Sequence, residues 1–270
     1  MDVGPSVLVD SHFHIYKTDF PLSKTAWHKP PSDAPLEQVL ALFDANGVTH
    51  GVVAAASLHG VYNDYVRASL KRTPRLRATA IVQPPIDIYQ LEQMKADGFV
   101  GIRFVWRMLE TPPDIDSDEY RVLLRRVADL GWHVHFIERA ARMPRLIAAI
   151  ETAGAKIVVD HMSLPDPSLG LNDPAFKATL AAIERGRTWV KLSAGYRFKP
   201  PSAAAPYAEQ LVRVAGGERL FWGSDWPFAA YEDKMQYGEA VAALKEWVPD
   251  EKLRRQISGE TPLRFYFAEA

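Results

Sequence analysis

The stretch Val7-Leu8-Val9-Asp10-Ser11-His12-Phe13-His14 decides the reading of this chain. An apolar run ends there in two histidines one residue apart. Side chains two apart along a strand share a face, so His12 and His14 converge, Asp10 lies deeper on that face and Phe13 turns the other way. Paired imidazoles at a strand end can hold a metal ion or polarise a substrate carbonyl directly. A second stretch, Gly223-Ser224-Asp225-Trp226-Pro227, follows another apolar run, Leu220-Phe221-Trp222, and ends it in a single carboxylate. A barrel that closes its last strand on its first brings Asp225 beside His12 and His14.

Between these ends, short β-rich runs alternate with helical patterns. The runs are 51–56, 78–82, 99–104, 132–136, 156–161 and 188–193. Helix punctuation sits between them: Gly47 at a stop, Asp87 and Gln90 at capping-box spacing, Ser117 before an apolar stripe, and Asp173-Pro174 at a start. The Pro/Ala stretch 199–206 reads as a loop before a short helix that ends at Gly216-Gly217, and the C-terminus reads as helices around 241–247 and 252–257. Eight strands, each followed by a helix, make this an α/β protein, a (β/α)₈ TIM barrel forming one domain over residues 1–270. A doubly wound sheet fits less well, because no Gly-x-Gly-x-x-Gly turn follows the first strand.

Composition removes several function classes. Lys and Arg total 32 against 33 Asp and Glu, a net charge of -1, which gives no footprint for nucleic acid or an anionic membrane. Without cysteine there is no disulfide, thiol nucleophile or Cys-ligated zinc. The start, Met1-Asp2-Val3-Gly4-Pro5, lacks the basic and apolar regions of a signal peptide, and no apolar run is long enough to span a bilayer. The expected setting is cytoplasmic.

Active sites of this barrel lie at the C-terminal ends of the strands. The polar residues there are His12, His14, Ser57, His59, Arg103, Arg107, His135, His161, Ser193, Arg197 and Asp225, with Tyr196 in the loop beside them. Unpaired polar groups at such positions are costly. For His12, His14, His161 and Asp225 together, ordinary packing is a poor explanation. His59, His133 and Ser57 fit either a site or packing, His28 and His50 read as surface residues, and Asp160 reads as a structural hydrogen-bond acceptor.

These residues carry a resemblance. Asp10-Ser11-His12-Phe13-His14, Gly98 to Phe104 with Arg103, Val159-Asp160-His161-Met162, Val190 to Arg197 and Gly223 to Pro227 keep the order seen in the amidohydrolase superfamily. They are most similar to the branch of 2-pyrone-4,6-dicarboxylate lactonases and related sugar-lactone and muconolactone hydrolases. The resemblance implies a distorted barrel that hydrolyses a carboxylate-bearing lactone. It implies Asp225 as the base toward water, with His12, His14 and His161 acting on the carbonyl and arginines holding carboxylates. Arg103, Arg107 and Arg197 suit that anchoring role, and Ser57, His59, His135, Ser193 and Tyr196 complete the expected substrate-binding set.

One departure bears on metal chemistry. Binuclear relatives use a carbamylated lysine at the end of strand four, where this chain has Arg103-Phe104-Val105. A lysine-bridged pair of ions is therefore not expected. The preferred expectation is no required cofactor; the alternative is one divalent metal such as zinc on His12, His14, His161 and Asp225. The expected partner is a small anionic lactone, with no nucleic acid, no membrane and no assigned oligomeric state. Competing readings are a metal-dependent amidohydrolase or non-oxidative decarboxylase on the same barrel, and a catalytically silent binding protein.

Overall fold

In a computed structural model, residues 7–268 are described; the stretch Met1 to Pro5, read above for a signal peptide, lies outside them. Eight strands, β1 Val9–Phe13, β2 His50–Val53, β3 Leu76–Ala80, β4 Phe99–Val105, β5 His133–Ile137, β6 Lys156–Val159, β7 Thr188–Leu192 and β8 Leu220–Trp222, pair in parallel in chain order. Helices α1 Leu36–Asn46, α2 Asp64–Arg72, α3 Ile88–Ala96, α4 Asp118–Asp129, α5 Met143–Ala153, α6 Pro174–Glu184, α7 Ala204–Ala215, α8 Tyr237–Trp247 and α9 Glu251–Arg255 run between and after them. This is the expected TIM barrel. It is distorted, because the pairing slips between Asp10 and Phe13 and again between Ala78 and Thr79.

The helix boundaries follow local chemistry. Asp87 accepts from the Tyr89 N–H at 2.8 Å while Gln90 Oε1 accepts from the Asp87 N–H, a reciprocal box. Ser117 caps α4, and Asp173 caps α6 ahead of Pro174. Each such cap is worth about 1 kcal/mol. Gly47 ends α1 at φ 71°, a conformation that a Cβ would oppose.

Two expected boundaries move. The span 199–206 is not all loop: α7 begins at Ala204, and Pro206 sits in its first turn, where a missing N–H costs nothing. The final helix around 252–257 ends as a regular helix at Arg255. The chain then winds through wider turns over Gln256–Glu260 and Leu263–Phe267, on either side of Pro262, which has no N–H for a regular ladder.

Closure of the barrel brings the two ends of the sheet together. The Asp225 N–H donates to His12 O and the His14 N–H to Trp226 O, each at 2.8 Å. Gly223 permits this approach, since a Cβ there would lie 2.5 Å from the Cβ of His12. The same junction corrects the expectation for Asp10. Its carboxylate leaves the face it would share with His12 in an unbroken strand, and accepts from the Ser224 N–H, from Ser224 Oγ at 2.6 Å and from Tyr237 of α8 at 2.8 Å. Phe13 does turn outward, packing edge-on against Phe43 of α1 with ring centroids 5.0 Å apart. Removing a buried ring of that kind costs about 3–5 kcal/mol.

Candidate active site

The site is built at the C-terminal ends of the strands around two buried carboxylates. Asp225 follows β8 with φ 64°, a conformation unusual for a non-glycine residue. Tyr196 donates to its Oδ2 at 2.5 Å and Arg197 Nε at 3.1 Å. The other oxygen, Oδ1, is 3.4 Å from His12 Nε2, 3.4 Å from His14 Nε2 and 3.8 Å from His161 Nε2. Burial would raise its pKa, but His161 and the Arg197 guanidinium hold it well below the ordinary carboxylate value.

Asp160 follows β6 and is fully buried. Arg103 Nη2 donates to Oδ2 at 2.9 Å; His135 Nε2 and His12 Nδ1 (3.0 Å) approach Oδ1. Its pKa is likewise held well below the ordinary value, against burial, by His12, His135 and the Arg103 guanidinium. Lys191 stands behind it, with Nζ 3.8 Å from Oδ1, 3.4 Å from His12 Nδ1 and 3.2 Å from His135 Nε2. Burial lowers this ammonium to about 7. Sequence reasoning gave Lys191 no role. The available signal was a charged residue in an apolar strand, two positions before Ser193 and hence on its face.

Hydrogen-bond partners fix the imidazole tautomers. His14 Nδ1 faces the Ala54 carbonyl at 2.7 Å and must donate to it. His12 Nδ1 points at the Asp160 carboxylate and donates there. Burial, the leading cause, lowers the pKa of His12 well below its usual value, so its ring is neutral. Its Nε2 and that of His14 then present lone pairs to one another at 3.3 Å, with Asp225 Oδ1 completing a triangle of acceptors. Three converging acceptors call for a cation or a shared proton among them. Tetrahedral ligands about 2.0–2.1 Å from zinc stand roughly 3.3–3.4 Å from each other, so this trio fits a single divalent ion. His12, Asp160 and His161 form a second group whose ligand atoms lie within 4.8 Å of one another.

His161 opens a turn in which four successive residues, His161 to Leu164, have positive φ. Ser193 Oγ lies 2.8 Å from its Nδ1 and orients the ring, leaving Nε2 toward Asp225. Burial lowers this imidazole to about 4, so it too is neutral.

A cavity of about 190 Å³ lies over this group. His14, Ser57, Arg103, Arg107, His161, Arg197 and Asp225 reach it. His12, His135, Ser193 and Tyr196 stand behind these residues, holding carboxylates or rings. His59 lines a different, smaller cavity with Tyr16 and Phe20, and its Nδ1 meets Pro21 O at 3.1 Å. Trp106 packs in the core, stacked on Phe104 at 4.4 Å. The loop 15–35 crosses the mouth: Trp27 donates to Ser57 Oγ, and half-buried His28 meets Glu232 at 2.5 Å. His28 is thus a cross-loop contact and not a free surface residue. No helix among the described residues is long and apolar enough to cross a membrane.

Comparison with known proteins places the chain in a family. Residues 9–268 match the family described as Amidohydrolase. The chain is 28% identical over 269 residues to the 4-sulfomuconolactone hydrolase of Hydrogenophaga intermedia, covering 95% of this chain and 88% of that protein. It is 29% identical over 284 residues to the 2-pyrone-4,6-dicarboxylate hydrolase of Comamonas testosteroni, covering 98% and 92%. A crystal structure of a probable 2-pyrone-4,6-dicarboxylic acid hydrolase from Acinetobacter baumannii with citric acid bound matches with a TM-score of 0.90 at 25% identity, covering 96% and 98%.

Proposed function

Because the chain belongs to the amidohydrolase family, an enzyme family, we propose that it hydrolyses the ring ester of a small carboxylate-bearing lactone, of the 2-pyrone-4,6-dicarboxylate, muconolactone or sugar-acid lactone type. The observation that carries this reading is the division of labour at Asp225. One oxygen is pinned by Tyr196 and Arg197, and the other faces the imidazoles at the base of the cavity.

In this reading Oδ1 accepts a proton from water as the water oxygen bonds to the lactone carbonyl carbon. The growing oxyanion is met by the N–H of His161, whose ring Ser193 holds. The tetrahedral intermediate then breaks its ring C–O bond. The departing oxygen takes the proton from Asp225, giving a hydroxy acid or its tautomer. Arg107, at the cavity wall, anchors a substrate carboxylate. Lys191 and Arg103 balance Asp160 beneath the imidazoles, so His12 is held in the tautomer that turns Nε2 toward the cavity.

A second reading of the charge at the site is favoured by the three converging acceptors. His12, His14 and Asp225 would hold one divalent ion, which would supply Lewis acidity toward the carbonyl or toward water. One assay separates the two: turnover of a lactone panel before and after exhaustive chelation, with zinc and manganese added back. Undiminished turnover after chelation supports hydrolysis by the side chains alone. Loss that one metal restores makes the trio ligands first. Inert lactones, with release of CO₂ from aromatic acids, would replace the lactonase reading by a decarboxylase on the same barrel.

A further inference from the structure

Three guanidinium groups reach the cavity, but two are already matched. Arg103 gives Nη2 to Asp160 and Nη1 to Ala55 O at 2.7 Å. Arg197 gives Nε to Asp225 and Nη2 to Ala229 O at 3.2 Å. Each neutralises a carboxylate that is almost fully buried, and leaving that partner would strand a buried charge. Arg107 differs. Its Nη1 meets the Glu138 carbonyl at 3.3 Å, and it pairs with no carboxylate among the described residues. The cavity therefore offers one unmatched guanidinium.

Away from the imidazoles, Asp225, Tyr16 and Ser57, the remaining wall is apolar. Trp27 of the crossing loop, Leu58 after β2, Val105 and Met108 around the end of β4, Ile137 at the end of β5 and Leu164 after β6 surround the space. Met108 is 55% exposed and Trp27 38% exposed at the mouth. A volume of about 190 Å³ equals roughly six water volumes at ~30 Å³ each, room for one small ring with a short substituent. A second anion pressed against this wall would be desolvated without a partner.

We propose that the preferred substrate carries a single carboxylate, held by Arg107, and an apolar substituent seated against Trp27, Leu58, Val105, Met108, Ile137 and Leu164. The inference rests on the lactonase reading for its reacting group and goes beyond it in naming what surrounds that group. It sets this cavity apart from one built for two carboxylates.

The test compares two pyrones of one ring size, a 4-alkyl-2-pyrone-6-carboxylate and 2-pyrone-4,6-dicarboxylate, by kcat/KM. The alkyl monocarboxylate should exceed the dicarboxylate by about tenfold or more, the discrimination a mismatched pocket contact supplies. Met108→Arg, at an exposed position, should narrow or reverse that ratio. Equal or better use of the dicarboxylate by the unaltered protein would overturn the inference. If neither pyrone is opened, the lactonase reading fails. Dissociation constants of the same pair, measured by calorimetry, then decide the inference alone: tighter binding of the alkyl compound supports it and tighter binding of the dicarboxylate overturns it.

Discussion

Asp160 and Asp225 stand two strands apart in the barrel, both buried, both with depressed pKa and both beside an arginine and histidines. The floor around Asp160 is closed. Arg103 takes one oxygen, His12 and His135 the other, and Lys191 stands behind. The wall at Asp225 is half open, with one oxygen pinned and the other toward the cavity. Burial, charge and a shifted pKa therefore do not distinguish a base from a brace; the free oxygen on the cavity side does.

The comparison can be broken at either carboxylate. Asp225→Asn should lower kcat by about 10³-fold, within the range for loss of a general base, with circular dichroism unchanged and a smaller fall in Tm than at Asp160, because Arg197 is 19% exposed and keeps part of its hydration. Retention of near-normal kcat would move the base elsewhere. Asp160→Asn should act on the fold instead. It leaves Arg103 without its buried partner, at a cost of about 3–5 kcal/mol and on the order of a 10 °C fall in Tm, read by calorimetry. A variant that keeps its Tm and loses turnover would put Asp160 in the chemistry.

Smaller effects sharpen the contrast. Arg107→Met should raise KM for a carboxylate lactone by roughly 10–100-fold, the size of a lost charge-assisted pair, and leave KM for a neutral lactone nearly unchanged. Equal losses on both would make Arg107 structural. In the floor, His133 is fully buried and lowered to about 3 by that burial, well below 6.5. Between those values the unfolded chain binds the extra proton, so stability rises with pH and is lost as pH falls through the window. His133→Phe should remove up to roughly 2 kcal/mol of the stability difference between pH 6.5 and pH 5, measured by urea unfolding at both pH values. An unchanged slope would mean that the other neutral histidines carry the acid sensitivity.

How much of this was legible in the sequence follows from which signals are local. Strand alternation and the cap residues at 87, 117 and 173 act over a few positions, and those elements lie where the pattern indicates. The meeting of His12 and His14 with Asp225 needed one further step, closure of the barrel. Asp10 was misplaced because a slip in strand register cancels the period of two, and nothing in Val-Asp-Ser-His announces a slip. The engagement of Arg103 and Arg197 by buried acids was hidden for a different reason. A guanidinium at a strand end reads the same whether it awaits a substrate or already holds a carboxylate from a distant strand. The left-handed turn at His161 to Leu164 contains no glycine to signal it. Its form is imposed by tertiary contacts such as His161 with Ser193, 32 residues later.

The junction of β1 with β8 also has a kinetic meaning. Ser224 and His12 meet across 212 residues of chain, and contacts of such separation form late because the loop entropy is paid before they return anything. His12 and His14 belong to the first strand and Asp225 follows the last, so a chain with its helices formed but its ends apart has no base beside its imidazoles. Turnover thus reports the completed circle: during refolding it returns with the final closure and lags the recovery of helix, and no partly folded form competes for substrate.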